Sequence, residues 1–265
     1  MNLELDHIVH FIKEHPNVAV EKWKNQGYHA VMGGSHEKWG TFNSLLYVGN
    51  AYIEYLTIEN QEIAADSDNP LISQLVHDLS KGEGIGQICF RTDNMVHLKT
   101  QLENKGCQTY PIFNGSRTRQ NGLIIKWKML FIKDSSSLPY PFFIEWEQED
   151  SVRMNDLNSN GYLDERLAKH SIQSIKVAVN DCESTARDWA NLFDFTIIGI
   201  QLDEHSSVKK AILQGNSFEI HFCQPHSENS SMHNILSKRG ERPFEITFDP
   251  VLDKTSFTLF EGKYS

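Results

Sequence analysis

Two stretches of the chain repeat one order of apolar and polar positions. Each opens on an apolar strand pattern that carries a polar residue, His7 in the first copy and Gln87 in the second. Each closes on another apolar strand pattern that carries a glutamate, Glu54 in the first copy and Glu145 in the second. A helical spacing and two further strand patterns lie between these ends. The pattern therefore predicts two copies of one strand–helix–three-strand unit.

The same patterns give expected bounds for the elements of each copy. The first copy has a helix at 17–27 and strands at 5–12, 28–32, 42–48 and 52–58. The second copy has a helix at 95–105 and strands at 85–92, 109–113, 123–132 and 141–147. Gly27 and Gly106 close the two helices, and Gly49-Asn50 predicts a tight turn in the first hairpin. A helical connector at 70–79 joins the copies.

A third copy follows a polar stretch. Residues 1–148 form the predicted pair of units, with copies at about 1–60 and 82–148, and residues 149–167 are predicted to be a polar linker. Residues 168–265 then repeat the strand and helix patterns in degenerate form, and end in strand patterns at 244–248 and 256–260 that indicate a truncated fourth copy. Ser174 and Ile220 stand where His7 and Glu54 are expected, so this region should lack their chemistry.

Composition narrows the class of protein. The 265 residues carry a formal charge of −10 and only short basic clusters, which argues against nucleic acid as a partner. No apolar run is long enough to cross a bilayer, and the acidic N-terminus does not resemble a signal peptide, so a cytoplasmic protein is expected. The four cysteines form no CxxC pair, which favours buried free thiols over a thiolate zinc site.

The polar residues of the first two copies predict a metal site. If the copies fold face to face, His7, Glu54, Gln87 and Glu145 meet in one cleft. One imidazole, one amide oxygen and two carboxylates suit an octahedral divalent ion, and the set does not choose among iron, manganese, nickel and zinc. Glu145 or, nearly equally, Glu54 could leave the ion and act as a general base. The alternative is that the histidine and the amide only hydrogen-bond within the fold.

Loop residues supply the expected substrate contacts. His36 and Asn43 flank the third strand of the first copy, and Arg117 and Arg119 lie on the matching loop of the second. The arginines could bind a carboxylate or phosphate, and the alternative is a solvated loop tip. Trp127 fits either a cleft wall or the core. His10 lies on the opposite strand face from His7 and is predicted to be structural.

These repeated units resemble the vicinal oxygen chelate superfamily, and within it the glyoxalase-like family of uncharacterised bacterial proteins. The resemblance rests on Leu5-Asp6-His7-Ile8-Val9, on the loop from Gly33-Gly34-Ser35-His36 to Gly40-Thr41-Phe42-Asn43, on Tyr52-Ile53-Glu54-Tyr55 and on Arg117-Thr118-Arg119. It implies an α+β fold of paired βαβββ units, with metal ligands from the first and last strand of each unit. The four-residue set resembles that of glyoxalase I and departs from extradiol dioxygenases, which need a second histidine at Gln87.

The resemblance implies a metal-dependent lyase or isomerase that stabilises an oxyanion on a small oxygenated metabolite. Two alternatives remain: a metal-free small-molecule binding or resistance protein of the same fold, and a ring-cleaving dioxygenase. A thiol cofactor such as glutathione is neither supported nor excluded. The expected partner is a small-molecule substrate. One further alternative is that the C-terminal copy serves to form a homodimer.

Overall fold

The first half of the molecule contains the two predicted units. The computed structural model describes residues 1–118, 124–133, 136–253 and 256–265. The first unit consists of β1 (Glu4–Phe11), α1 (Asn17–Asn25), β2 (Val31–His36), β3 (Thr41–Val48) and β4 (Ala51–Ile58). Two connecting helices follow, α2 (Gln61–Ala65) and α3 (Pro70–Leu79). The second unit consists of β5 (Gly84–Arg91), α4 (Met95–Asn104), β6 (Gln108–Thr109), β7 (Phe113–Thr118), β8 (Ile124–Leu130), β9 (Ile132–Lys133) and β10 (Phe142–Trp146).

The second half repeats this order with a shortened last unit. The predicted polar linker contains α5 (Asp150–Ser159), which buries Arg153 and Leu157, so part of that stretch packs on the fold. The third unit consists of β11 (Ser171–Ala178), α6 (Cys182–Phe193), β12 (Thr196–Asp203), β13 (Val208–Gln214) and β14 (Glu219–Pro225). Last come α7 (Met232–Arg239), β15 (Pro243–Asp249), β16 (Phe257–Leu259) and β17 (Gly262–Tyr264).

Each half builds one mixed sheet. The first has the strand order β2-β3-β4-β1-β5-β10-β8-β7, and the second has the order β12-β13-β14-β11-β15-β17-β16. In each sheet the first strand of one unit pairs antiparallel with the first strand of the next: β1 with β5, and β11 with β15. Paired βαβββ units, expected from the alternation of apolar positions, are confirmed.

The outer strands of the first sheet differ from the predicted bounds. β2 covers a segment predicted as a loop, Gly33 to His36, and β7 covers another, Asn114 to Thr118. Both strands end the sheet, where backbone pairing to one neighbour suffices and few apolar side chains are needed. The apolar pattern that identifies a strand is therefore weak in these two segments.

Strand pairing also changes one predicted equivalence in the third unit. Val9 pairs with Glu54 in the first unit, and Lys176 pairs with His221 in the third. Ile8 pairs with Ile88, and Ile175 pairs with Ile246 in the same way, so Ile8 and Ile175 are equivalent. The next residues, Val9 and Lys176, are therefore equivalent as well. His221, and not Ile220, therefore takes the position of Glu54, whereas Ser174 does take the position of His7.

One hydrophobic core joins the two halves. Alternate residues of the central strands, such as Ile8, Ile53 and Phe90, face this core with residues of the C-terminal half. Phe90 stacks on Phe218 with ring centroids 5.3 Å apart. The opposite face of the first sheet carries a second cluster that includes Val9, Cys89 and Trp127. A small cavity lies on that second face. No helix of the described chain is long and apolar enough to cross a membrane.

Candidate functional site

A small cavity lies on the second face of the first sheet, between strands of both units. Its volume is about 50 Å³, which is room for a few water-sized groups. Polar groups converge on it from the first unit, and most of the remaining wall is aromatic or aliphatic. The lining residues are His7, His36, Trp39, Thr41, Asn43, Leu45, Tyr52, Glu54, Leu56, Asn69, Leu71, Ile72, Trp127, Met129, Phe142, Ile144 and Trp146.

His7 stands at the centre of this lining. The residue is 3% exposed, and its ring stacks on Tyr52 and meets the edge of Phe142. Its Nδ1 lies 2.6 Å from Oδ1 of Asp6, and its Nε2 lies 3.6 Å from Oε2 of Glu54. An ionised carboxylate only accepts hydrogen bonds, so Nδ1 of His7 carries a proton and donates to Asp6, while Nε2 faces Glu54.

Asp6, which contacts His7 beside the cavity, was not among the site residues predicted from the sequence. It is fully buried, and its Oδ2 accepts hydrogen bonds from Trp146 Nε1 at 2.9 Å and from Arg91 Nη1 at 3.2 Å. Burial alone would raise the pKa of Asp6, but the hydrogen bond from His7 and the charges of His7, Arg153 and Arg91 outweigh it. The pKa of this carboxyl therefore lies well below its ordinary value, and Asp6 stays ionised.

A bulge in β1 explains how two neighbouring residues serve one site. Leu5 pairs with Phe90 and His7 pairs with Cys89, so the register of β1 against β5 shifts at Asp6. A bulge adds one residue to a strand and breaks the alternation of faces. Asp6 can therefore reach the ring of His7 from the adjacent position. The adjacent polar pair Asp6-His7 inside an apolar strand was the available sequence signal.

One carboxylate oxygen of Glu54 is hydrogen-bonded to Asn43, and the other faces His7. Its Oε1 accepts a hydrogen bond from Asn43 Nδ2 at 2.5 Å, and Asn43 Oδ1 in turn accepts from the backbone N–H of Gly34 at 3.1 Å. These bonds fix the carboxylate so that Oε2 faces His7. At 3.6 Å the two groups are too far apart for a direct hydrogen bond, so an atom held between them could contact both.

Three of the five predicted substrate-contact residues line the cavity. They are His36, whose Nδ1 lies 3.2 Å from Thr41 Oγ1, together with Asn43 and Trp127. Arg117 lies in β7, where its backbone pairs with Ile125. Arg119 lies outside the described residues. Both units thus contribute to the cavity wall, and its polar groups come from the first unit and, through Asn69, from the segment that precedes α3.

The structure does not bring Gln87 into the cavity with His7. Gln87 Nε2 donates to Gln74 Oε1 at 3.1 Å and to the Tyr140 carbonyl at 3.0 Å. Its Oε1 accepts from the backbone N–H of Ile88. The amide lies beside α3, because Gln87 pairs with Val9, two residues further along β1 than His7. Its hydrogen-bonding groups are occupied within the fold.

Glu145 also lies away from the cavity. Its carboxylate accepts from the backbone N–H of Met95, at the start of α4, at 2.5 Å and from Lys128 Nζ at 2.6 Å. Glu54 pairs with Val9 in the first unit, whereas Phe142 pairs with Cys89 in the second. The matching of β1 to β5 makes Cys89 the equivalent of Val9, so Phe142 takes the position expected for Glu145.

Two groups of donors could still approach a metal ion. His7 Nε2 and Glu54 Oε2 face the cavity together, and Asp6, His7 and Cys89 form a buried cluster with ligand atoms within 4.8 Å of one another. Asp6 already accepts from three donors, and burial together with the charges of Asp6 and Glu54 raises the pKa of the Cys89 thiol. The donors that fit an ion are therefore His7 and Glu54, and the four-residue set expected from the sequence is not assembled.

A family model and a solved structure both match most of this chain. A family model described as a glyoxalase-like domain matches residues 5–193. The crystal structure of a hypothetical protein from Staphylococcus aureus is 22% identical and aligns over 99% of this chain and 98% of its own, with a TM-score of 0.77, which shows a shared fold. Methylmalonyl-CoA epimerase from Mycobacterium tuberculosis is 18% identical and aligns over 29% of this chain and 53% of its own, with a TM-score of 0.28. No curated protein matches the chain. Since the family model spans well over half of the residues, the chain belongs to the glyoxalase-like domain family.

Proposed function

We propose that the cavity of the N-terminal half is a catalytic site that moves a proton on a small oxygenated molecule. The observation that carries the proposal is the buried line of Asp6, His7 and Glu54, with spacings of 2.6 Å and 3.6 Å, that ends in the cavity. In this arrangement His7 Nε2, as a base, and the Glu54 carboxylate, the second carboxylate after Asp6, lie on either side of one small volume. This is the arrangement expected for a lyase or isomerase.

Each residue of the line has a separate task in this proposal. Asp6 fixes the ring of His7 and its tautomer, so Nε2 can accept a proton or bind an ion. Asn43 orients Glu54, which can take a proton from carbon or return it to a neighbouring carbon. Aromatic walls such as Trp127 and Phe142 exclude water, and low polarity strengthens the interaction of both groups with the substrate.

A divalent ion of the kind expected for the fold would be held by His7 Nε2 and Glu54. Bound there, it would supply Lewis-acid stabilisation of charge on substrate oxygens. Two protein ligands leave most positions open to a substrate with adjacent oxygens, and predict weaker binding than a site with three or four ligands. Elemental analysis of protein purified without chelator tests this, with His7→Ala as the comparison. Metal content that is unchanged by His7→Ala would remove His7 as a ligand.

Proton transfer can be measured before the substrate is identified. Small α-hydroxy-carbonyl compounds are incubated with the protein and divalent ions in D₂O, and deuterium incorporation at the carbon beside the carbonyl is followed by NMR. We expect incorporation with the native chain and a loss of about 100-fold or more for Glu54→Gln. Glu147→Gln, which changes an exposed glutamate outside the cavity lining, is the matched control. Equal incorporation by native and Glu54→Gln proteins would overturn the assignment.

The second candidate function is metal-free binding of a small aromatic ligand. It is favoured by three tryptophans on the cavity wall. The ring centroid of Trp127 lies 6.4 Å from that of Trp39 and 5.7 Å from that of Trp146. Aromatic surfaces stack on planar ligands. Saturable quenching of tryptophan fluorescence by such a ligand in the presence of EDTA, without conversion, would favour this function over catalysis.

A further inference from the structure

The C-terminal half contains a second and larger cavity. It measures about 620 Å³ and lies between the second sheet and α7. Strand pairing places it on the sheet face that corresponds to the N-terminal site: Lys176 pairs with Glu245 as Val9 pairs with Gln87. This cavity is therefore the counterpart of the N-terminal cleft, with different chemistry on its floor.

Positive charge dominates the lining. The cationic lining residues are Lys176, Lys210, Lys238, Arg239, Arg242 and Lys263, and the acidic ones are Asp203, Glu245 and Glu261. Arg242 is neutralised from outside the cavity, because it forms two hydrogen bonds with Asp78. Five cations then face three carboxylates, in a chain whose formal charge is −10.

The carboxylates do not use up the capacity of these cations. Glu245 is buried and accepts from Lys176 at 2.9 Å, and Lys263 lies 3.3 Å from its other oxygen. Lys210 is only loosely paired, with its Nζ 3.6 Å from Asp203. An ammonium group has three donors, so these lysines retain donors for a further acceptor.

A buried guanidinium adds positive charge to the lining of the same cavity. Arg239 is 8% exposed, and its Nη1 donates to the Ile85 carbonyl at 2.9 Å. Burial and the neighbouring charge of Arg242 lower the pKa of Arg239, so an anion in the cavity would stabilise the charged form of this side chain.

Part of the cavity lining is apolar. Met232 and Ile235 of α7 and Phe244 of β15 contribute to it, and Met232 packs with Val208 and Cys223. A ligand that fits the cationic and the apolar parts of this lining carries a charged head and a short apolar body.

We propose that this cavity binds a small organic oxyanion, with a carboxylate or phosphate head on Lys176, Lys210 and Lys263 and an apolar body against Met232 and Ile235. The residues differ from those of the N-terminal site, so the proposal stands independently of the catalytic one.

The test uses the full-length chain with methyl-labelled methionine and isoleucine. Phenyl phosphate and benzoate supply the two head groups, and benzyl alcohol supplies the same ring without a charge. We expect saturable NMR shifts of the Met232 and Ile235 methyl groups with one or both anions and not with benzyl alcohol. The methyl signal of Ile63, in the other half, should stay in place. The stronger of the two anions identifies the head group.

Variants then test whether the lysines of the cavity bind the anion. Lys210→Met with Lys263→Met should weaken binding of the stronger anion about tenfold or more, because charge-assisted hydrogen bonds are lost. Lys24→Met with Lys169→Met removes the same net charge from exposed positions and should leave affinity unchanged. Circular dichroism checks that each variant is folded. Absence of saturable shifts in the native chain, or equal shifts with benzyl alcohol, would overturn the proposal without any variant.

Discussion

At the scale of single residues, the stability of the fold and proton exchange at the cavity are predicted to depend more on Asp6 than on any exposed carboxylate near it. Asp6→Asn removes the charge opposite Arg91 and Arg153 and replaces one of the two acceptor oxygens by an N–H₂ donor, so His7 Nδ1 and the donors on Oδ2 can no longer all be satisfied. The two arginines keep Asp150, so the loss of their buried partner should lower the free energy of unfolding by about 1–3 kcal/mol. Proton exchange at the cavity should fall at least tenfold in protein that remains folded. Urea denaturation and the deuterium assay measure the two effects.

Asp150→Asn is the matched control for that change. Asp150 contacts the same two arginines, at 2.9 Å from Arg91 and 3.6 Å from Arg153, but its side chain is about half exposed. Solvent screens such a pair, so the stability change should be much smaller than for Asp6→Asn. Equal losses in the two variants would contradict the importance given to burial.

His10 gives a prediction for pH dependence at the same scale. Its ring is buried, with Nδ1 2.6 Å from the Tyr264 hydroxyl and Nε2 2.9 Å from the Phe260 carbonyl, in agreement with its predicted structural role. Burial lowers the pKa of His10 to about 3. The unfolded chain takes up this proton near pH 6.5 and the folded chain only near pH 3, so stability falls as the pH drops through that window.

His10→Gln should remove part of that pH dependence. The histidine contributes a slope of up to about 1.4 kcal/mol per pH unit between these limits. Urea denaturation at several pH values between 4 and 7, for the native chain and the variant, measures it. His97→Gln, at an exposed position, is expected to keep the native slope. An unchanged slope in His10→Gln would show that other groups carry the acid sensitivity.

At the scale of elements, the register of β10 decides which glutamate serves the cavity. Glu145 accepts from the first N–H group of α4 and from Lys128, and so acts on the helix end. Glu145→Gln keeps an acceptor oxygen but removes the negative charge at the helix N-terminus, so it should lower stability by about 0.3–1 kcal/mol and leave proton exchange close to native. The deuterium assay and a urea titration on one preparation separate these effects. Loss of exchange comparable to that of Glu54→Gln would restore Glu145 as a catalytic residue.

The same strand shows what sequence could and could not predict. Periodicity indicated the order of elements, because buried strands and helices need apolar positions at fixed spacings. It could not fix the register of Phe142-Phe143-Ile144-Glu145-Trp146, where a shift of three residues still buries aromatic side chains. The bulge that brings Asp6 to His7 depends on pairing with β5, which a single strand pattern does not reveal. His7 and Glu54 were found because both sit in strands that pair as expected.

At the scale of the whole molecule, the two halves are tied by polar contacts as well as by the shared core. Arg242 of the C-terminal half forms two hydrogen bonds with Asp78 of α3, and Tyr264 bonds to His10 and accepts from the Tyr55 hydroxyl. These groups are buried, so separation of the halves would expose apolar surface and leave charges unpaired. The halves should therefore unfold together.

The last prediction tests this coupling through the buried ion pair. Arg242→Met leaves the Asp78 carboxylate buried without its partner, and should destabilise the chain by about 3–5 kcal/mol in one transition. Asp78→Leu combined with Arg242→Met replaces both charges by apolar groups and should recover much of that loss. Calorimetry and tryptophan fluorescence follow the unfolding. Each half contains tryptophan, Trp23 in one and Trp189 in the other, so fluorescence reports on both. Two separate transitions in the native chain would mean that the halves are independent domains. If Arg242→Met destabilised only the C-terminal half, the core would not be shared between the halves.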